Sequence, residues 1–174
     1  MENRYTEDKA IESRSTINFV TPSEWAMKNL TWLQQYGHFT CDSHYSVLNR
    51  HSMQSLLCII TLDGVGAVRT ALGTRMARAG DVVLIDCREL HEYWAPEYWE
   101  FDWLHIHGGP VYEIAHMIQD ISGNVVTGGG NLYSAQSLRS IAEGSAIRLS
   151  RLQEANVSRQ LNDFLVDLLN HVTA

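Results

Sequence analysis

The chain has 174 residues, of which 45% are hydrophobic and 19% charged, which are typical values for a globular protein with one sizeable core. Its formal net charge of -7 argues against direct binding to a nucleic-acid backbone, which requires clustered cations. No apolar run reaches the about 18 residues of a membrane span, and the charged N-terminus lacks a signal peptide's apolar core. Cys41, Cys58 and Cys87 have no metal-like spacing and predict reduced thiols in a cytoplasmic protein.

Residues 1–34 are predicted to form an N-terminal arm and a short helix. Residues 1 to about 20 are polar and weakly patterned, which is typical of a mobile arm. Thr21, Pro22 and Glu24 resemble a helix start, with threonine as the cap, proline at the first helical position and glutamate completing a capping box. We therefore expect a helix that ends near Leu30.

Residues 35–109 are predicted to form a β-barrel, because short apolar runs alternate there with turn signals. The sequence from Asp63 to Gly66 predicts a hairpin turn between two of the strands, and Gly80-Asp81 predicts a second turn. The polar and aromatic run at 36–50 is consistent with one or two further strands. The clearest predicted strands are residues 55–62, 67–71, 82–85, 91–95 and 98–107.

The strand at 98–107 alternates strictly, which places two distinct sets of side chains on its faces. One face carries three aromatic rings followed by two imidazoles: Trp99, Phe101, Trp103, His105 and His107. Such a face packs a core or stacks on a ligand. Glu89, Glu92 and Asp102 lie at a turn or on the opposite face, so we expect them to be solvated and not catalytic.

Residues 110–174 are predicted to be helical, because apolar residues recur there at helical spacing. Helices are expected at about 111–121, 134–148 and 152–172, with a loop at 122–131. On the last helix one side carries Leu161, Leu165, Leu168 and Val172. This apolar stripe either docks on the barrel or pairs with a second copy of the helix across a two-fold axis.

The order of these motifs resembles the N-terminal sensor domain of AraC-type transcription regulators, over residues 35–172. The motifs are L-x-G-x-G from Leu62, Gly80-Asp81 before an apolar strand, His91 with Tyr93, and W-x-F-x-W-x-H-x-H-G from Trp99. The resemblance implies a mainly β fold: a cupin-like antiparallel β-barrel, or jelly roll, followed by C-terminal α-helices. It implies a domain that binds a small-molecule effector, a carbohydrate, inside the barrel, with no cofactor and no turnover of a substrate.

The resemblance also implies partners. The arm is expected to fold over the bound effector, and the 110–174 segment to form a homodimer, with Leu161, Leu165, Leu168 and Val172 as its contacts. DNA is contacted in this family through a C-terminal domain that is not in this chain. Two alternatives stay open: the sequence is part of a longer regulator, which we favour, or a sensor without a DNA-binding domain.

The resemblance assigns ligand-binding positions as well. Trp103 matches the position that stacks on a bound sugar, and Tyr93 matches another pocket position. Arg50 lies one residue from the best match to the family's pocket arginine. Phe101 stands where the family's sugar sensor carries a histidine, which favours a different ligand or orientation. The predicted ligand-binding set is Trp103, Tyr93, Arg50, Phe101, His91 and His105. For His105, as for His107, the alternative is a hydrogen bond to the backbone at a strand end.

The rival interpretation is a metal-dependent cupin enzyme acting on a small molecule. Enzymatic cupins share a motif of two histidines, a glutamate and a glycine, with a later histidine. Counted back from Gly64, the glutamate place falls on Leu57 and the histidine places fall on His51 and Met53, whereas His91 matches the later histidine. Since a divalent ion needs three or four donors, we predict no metal site.

Overall fold

The structure is a computed structural model that describes residues 14–144 and 148–174. Residues 1–13 of the predicted arm therefore lie outside the described residues. The strands are β1 (Thr16–Phe19), β2 (Trp32–Asp42), β3 (Ser46–Arg50), β4 (Leu56–Thr70), β5 (Gly73–Arg78), β6 (Val82–Asp86), β7 (His91–Trp94), β8 (Tyr98–His107) and β9 (Val125–Val126). The helices are α1 (Glu24–Asn29), α2 (Val111–Ser122), α3 (Tyr133–Ala142) and α4 (Arg151–Thr173), with a 3-10 helix at Gly129–Asn131.

The nine strands found in the described ranges form one antiparallel sheet that folds over on itself without closing. Its main path runs β1-β2-β8-β4-β6-β9, and β3, β7 and β5 join β4 to form the opposing side. The fold is thus the expected cupin-like antiparallel arrangement followed by helices, in the form of an open barrel. The last part of the predicted arm, Thr16–Phe19, pairs with β2 as an edge strand of the sheet. The predicted boundary between residues 34 and 35 falls inside β2.

Strand β4 connects the two sides of the barrel and corrects one prediction. The expected turn at Asp63–Gly66 is absent, because β4 runs through it as one strand of 15 residues. Its pairing with β8 shifts register between Thr61 and Asp63, and Gly64 has φ +72°. Gly64 therefore supports a β-bulge, which bends the strand from one side of the barrel to the other. A bulge glycine and a turn glycine look alike in sequence, since both need a positive φ.

Two separate hydrophobic cores lie on opposite faces of the strands. The barrel core fills the inside of the sheet and includes Trp99, Phe101 and Trp103. The helix-side core lies between the outer face of the sheet and the helices, and includes Leu104 and Ile106 from the same strand. The strict alternation predicted for β8 is therefore confirmed, and it assigns successive residues to different cores.

Hydrogen bonds at the helix ends fix α1 against α4. The cap of α1 is Ser23 and not the predicted Thr21: the Ser23 hydroxyl accepts from Ala26 N at 3.1 Å. Ser23 also donates to the buried Glu154 of α4 through its backbone N–H and its hydroxyl, each at 2.8 Å. Further along, Thr31 N donates to Ser158 Oγ at 3.1 Å. One edge of α4 is thereby tied to the N-terminal part of the fold.

The apolar stripe of α4 lies inside the chain's own core. Leu161, Leu165 and Leu168 are fully buried against the sheet and the other helices, and Val172 packs at the edge of this core. This corrects the assignment of Leu161, Leu165 and Leu168 to a dimer interface, since side chains already covered within one chain cannot also meet a second copy. For Val172, which is only partly buried, the assignment stays a prediction. Dimerisation itself stays a prediction. No helix in the described ranges is both long and apolar enough to cross a membrane.

Candidate functional site

The barrel core contains a cavity between its two sides. Its volume is about 10 Å³, which is room for a single water molecule. Three consecutive inward-facing residues of β8 form one wall together with the neighbouring strand β4, on which Leu57 pairs with His105 and Ile59 pairs with Trp103. The full lining is Phe39, Tyr45, Arg50, Leu57, Ile59, Tyr93, Phe101, Trp103 and His105. The cavity is therefore mostly aromatic, with a few polar groups at defined positions.

Trp103 is the largest side chain of the wall and carries an unpaired donor. Its side chain is buried, with Phe39 at 5.2 Å and His105 at 5.8 Å between ring centroids. Its Nε1–H has no hydrogen-bond partner among the residues that the structure describes. By contrast Trp99, on the same face, donates its Nε1–H to Thr61 Oγ1 at 3.2 Å. Because an unpaired buried donor costs free energy, Trp103 is the residue of the wall with the most to gain from a ligand acceptor.

Arg50 brings a positive charge to the cavity. Its Nη1–H donates to Tyr93 Oη at 3.4 Å, and Tyr93 lies beside Tyr45 with ring centroids 6.3 Å apart. The backbone on either side is unusual, because Asn49 and Ser52 have φ 53° and 64°, which non-glycine residues rarely adopt. Burial is the main cause that raises the pKa of Tyr93 to about 12, and the charge of Arg50 opposes that rise.

Two buried histidines accompany Arg50. His105 Nδ1 forms a hydrogen bond of 2.7 Å with the Ser55 hydroxyl, and not the backbone bond that was the alternative prediction. Burial first, and then the charge of Arg50, lower the pKa of His105 to about 3, so its imidazole is neutral. His91 donates from Nδ1 to the Glu89 carbonyl at 2.8 Å, and its buried Nε2 has no partner within the described part of the chain. Burial likewise lowers the pKa of His91, which leaves Nε2 as an acceptor.

The structure brings five of the six predicted site residues to the cavity wall: Trp103, Tyr93, Arg50, Phe101 and His105. His91 stacks behind Tyr93 at 6.1 Å and is not part of the lining. Sequence reasoning missed Phe39, Tyr45, Leu57 and Ile59. The period-two pattern of β4 would have identified Leu57 and Ile59 if the pairing of β4 with β8 had been known. Tyr45 lies before β3 in a stretch without clear alternation, so no local signal marks it.

The opposite face of β8 holds a buried charge network. Asp102 is completely buried, and His38 Nδ1 lies 2.8 Å from its Oδ1. Arg139 of α3 forms an ion pair with the other carboxylate oxygen at 3.5 Å. The expectation that Asp102 is solvated is therefore wrong, because α3 covers that face. The expectation is also wrong for Glu92, which is buried and pairs with Arg69, whereas Glu89 is exposed as expected.

The two remnants of a cupin metal motif lie in different surroundings. His51 is exposed and its Nδ1 is 2.9 Å from Ser52 Oγ, whereas His91 is buried. Leu57, at the carboxylate place, is part of the cavity wall. Within residues 14–144 and 148–174, no three His, Cys, Asp or Glu side chains come together as a metal-binding group.

An open cupin-type barrel with an aromatic cavity and a few buried polar groups defines the class of small-molecule-binding domains. The chain belongs to the family of AraC-like ligand binding domains, since the family model matches residues 33–168. Membership implies ligand sensing in a transcription regulator. Comparison with curated protein sequences gives no match.

Several solved structures are similar to this chain. ToxT from Vibrio cholerae matches with a TM-score of 0.51 at 8% identity, covering 80% of this chain and 57% of ToxT. A cupin superfamily protein from Desulfitobacterium hafniense has a TM-score of 0.42 at 11% identity, covering 62% and 84% of the two chains. A predicted oxalate decarboxylase from Thermotoga maritima has a TM-score of 0.42 at 20% identity, covering 54% and 81%. Neither cupin likeness bears on the activity of this chain.

Proposed function

We propose that the chain is the effector-sensing domain of an AraC-type regulator and that it binds a small carbohydrate-like molecule inside the barrel. The observation that carries the proposal is Trp103, whose ring lines the cavity while its buried Nε1–H has no partner in the described ranges 14–144 and 148–174. An indole face packs on the C–H face of a ring-shaped ligand, and the donor meets one of its oxygens. Arg50 and Tyr93 supply further polar contacts beside it.

The size of the cavity gives the proposal a mechanism. A space of about 10 Å³ admits a water molecule but not a sugar ring, so the wall must move when an effector enters. A ligand that fits only the opened wall shifts the population toward that form by its difference in affinity. The segment around Arg50 is suited to such movement, because Asn49 and Ser52 already hold unfavourable backbone angles. Binding and a change of shape are then one event, as a sensor requires.

A thermal-shift screen against a panel of sugars and related small molecules tests the proposal. A ligand that binds only the folded state raises the melting temperature by mass action. The molecules that do so should also change tryptophan fluorescence, because the ring of Trp103 is contacted directly. Trp103→Phe should abolish that fluorescence change, whereas Trp94→Phe, on β7 and outside the lining, should preserve it. If the change persisted in Trp103→Phe, the site would lie elsewhere.

We propose further that the chain does not turn over a substrate and holds no metal. Support comes from the wall itself, in which Leu57 stands at the carboxylate place and His105 is neutral and bonded to Ser55. Metal analysis of protein purified without chelator should show well under one equivalent. A stoichiometric content of iron, manganese or zinc would instead favour the rival metal-dependent cupin enzyme.

We propose that the domain forms a homodimer in the cytoplasm through the outer face of α4, and contacts DNA through a C-terminal domain outside this chain. Exposed residues recur along that face: Leu152, Asn156, Arg159, Asp163, Val166 and Asn170. If two copies of α4 pair antiparallel and their two-fold axis crosses the helix at the level of residue 161, Arg159 of one copy faces Asp163 of the other. The surface is then complementary to itself in charge, as a two-fold interface requires.

A charge exchange tests this interface by sedimentation. Arg159→Glu alone and Asp163→Arg alone should each shift the equilibrium toward monomer, because like charges then meet across the axis. The double variant should restore the dimer. Arg75→Glu, at an exposed position on β5, serves as the control and should have no effect. A wild-type monomer at tens of micromolar would rule this interface out.

A further inference from the structure

We propose that a groove between α3 and α4 receives Arg159 of a second copy of this chain, and that Tyr133 stacks on the incoming guanidinium. The inference rests on the proposed homodimer and deepens it by naming the receiving site and the side chains that hold each contact. The residues of this α3–α4 groove that matter here are Tyr133, Ser134, Arg159, Asp163, Val166 and Asp167.

The α3–α4 groove is large and lies on the face of α4 proposed for the dimer. Its volume is about 510 Å³, compared with about 30 Å³ for the space that one water molecule takes up, so a long side chain fits in it. Arg159, Asp163 and Val166 are exposed residues of the outer face of α4, and Tyr133 is the first residue of α3. A copy docked along that face therefore also covers the groove.

The charges of the groove call for a cation. Asp163 and Asp167 are four residues apart, so they share one side of α4, where like charges repel. Among the ion pairs found in residues 14–144 and 148–174, none includes either aspartate or Arg159. A cation brought into the groove from outside the chain relieves this repulsion and pairs with both carboxylates.

Tyr133 and Ser134 favour a guanidinium as that cation. Tyr133 is 90% exposed, more than any other large hydrophobic side chain in the part of the chain that the structure describes. An aromatic face attracts a cation placed over it, and a planar guanidinium stacks there while its N–H groups donate to neighbouring acceptors. Ser134 Oγ is a buried acceptor that has no partner among the described residues.

Two-fold symmetry identifies the incoming arginine. In a two-fold dimer both copies present the same surface, so whatever fills the groove must itself lie on that surface. Arg159 lies on it, about one helical turn before Asp163. With the axis at the level of residue 161, Arg159 of one copy reaches Asp163 in the groove of the other. Each dimer then contains two identical contacts of arginine with tyrosine and aspartate.

Sedimentation equilibrium of ring variants tests the stacking. Tyr133→Ala should raise the dimer Kd by about ten-fold, because two cation–π contacts are lost per dimer. Tyr133→Phe keeps the ring and should stay within about two-fold of the wild type. Phe19→Ala removes another exposed aromatic ring, on β1 and outside the groove, and should match the wild type. Urea melts should show all three variants folded, since both positions are exposed.

A double-mutant cycle tests whether the two side chains meet. Tyr133→Ala and Arg159→Ala should each weaken the dimer, and the loss in the double variant should fall short of the product of the two single losses. Asp167→Asn should weaken the dimer as well. Asp120→Asn, at an exposed position on α2 and outside the groove, should not.

Three results would overturn the inference. If Tyr133→Ala dimerised as tightly as the wild type while the charge exchange between Arg159 and Asp163 gave its expected result, the groove would not receive the arginine and the α4 dimer would stand. An equal loss in Tyr133→Phe and Tyr133→Ala would exclude stacking on the ring. A wild-type protein that is monomeric at tens of micromolar would overturn the inference together with the proposed dimer, and would leave effector sensing unaffected.

Discussion

The two faces of β8 differ in composition and in how completely they are filled. The helix-side face contributes Leu104 and Ile106, which are fully buried in a mostly aliphatic core. The barrel face contributes Phe101, Trp103 and His105, which surround a cavity and include an unpaired donor. One strand thus serves two purposes: the helix-side face packs against the helices, and the barrel face lines a cavity with a donor that a ligand can satisfy.

The strongest way to test this difference is to remove a side chain from the helix-side core. Leu165→Ala should lower the free energy of unfolding by about 2–5 kcal/mol, because Leu165 is fully buried and its loss leaves a cavity. Effector affinity should not change. Urea denaturation measures the loss, and Met117→Ala, at an exposed position on α2, should stay within about 0.5 kcal/mol of the wild type. A stable Leu165→Ala protein that has become monomeric would return the stripe to a dimer interface.

The barrel face should respond to pH. Burial lowers the pKa of His105 to about 3 in the folded chain, from the value of 6.5 that an exposed histidine has. The unfolded chain therefore binds more protons between these values, and stability falls as pH is lowered from about 6.5 toward 3.

His105→Asn keeps a polar partner for Ser55 and removes this titration. Its stability should depend less on pH than that of the wild type between pH 4.5 and 6.5, as measured by urea midpoints. Because the carboxylates titrate in both proteins, their contribution cancels in the comparison. Parallel curves would mean that His105 is not buried in its neutral form.

The charge network of His38, Asp102 and Arg139 should change the stability by less than His105 does, and its contribution should be lost as pH rises and not as pH falls. The hydrogen bond to Asp102 is the largest cause that raises the pKa of His38, with added contributions from Glu100 and Glu143, and Arg139 also faces Asp102. The stabilisation is therefore fully present below about pH 6.5 and is lost as pH rises through the raised pKa.

His38→Gln should be less stable than the wild type at pH 6, and the gap should shrink by pH 9. The difference should be on the order of 1 kcal/mol or less, since His38 is partly exposed. Thermal melts at the two values measure it. A gap that widens at pH 9 would contradict the assigned direction.

Sequence alone gave good predictions where one periodicity covered a whole element. β8 has the predicted bounds, and the helix predicted at 152–172 is found at Arg151–Thr173, because alternation and helical spacing are long-range patterns that burial enforces. The predictions failed where a local signal has two meanings. Gly64 lies in a β-bulge and not in a turn, and the cap of α1 is Ser23 and not Thr21. Asp102 was expected in solvent because nothing in its own strand shows that α3 covers it.

The candidate site divides in the same way. Positions on β8 were predicted from its alternation and from the family resemblance. The contribution of β4, which lies beside β8 in the sheet, depends on which strands pair, and pairing is not visible in one strand's sequence. The size of the cavity could not be predicted either, because it depends on side-chain packing across several strands.

The central claim is that the barrel face of β8 binds the effector while the helix-side face maintains the fold. The most direct test measures effector affinity and unfolding free energy together for two adjacent substitutions, Trp103→Phe and Leu104→Ala. We expect Trp103→Phe to lose affinity by about ten-fold, with stability changed by less than about 1 kcal/mol, since it removes an unpaired donor and keeps an aromatic ring. Leu104→Ala should lose about 2–5 kcal/mol of stability and keep its affinity. The reverse pattern, with affinity lost in Leu104→Ala and kept in Trp103→Phe, would contradict the account.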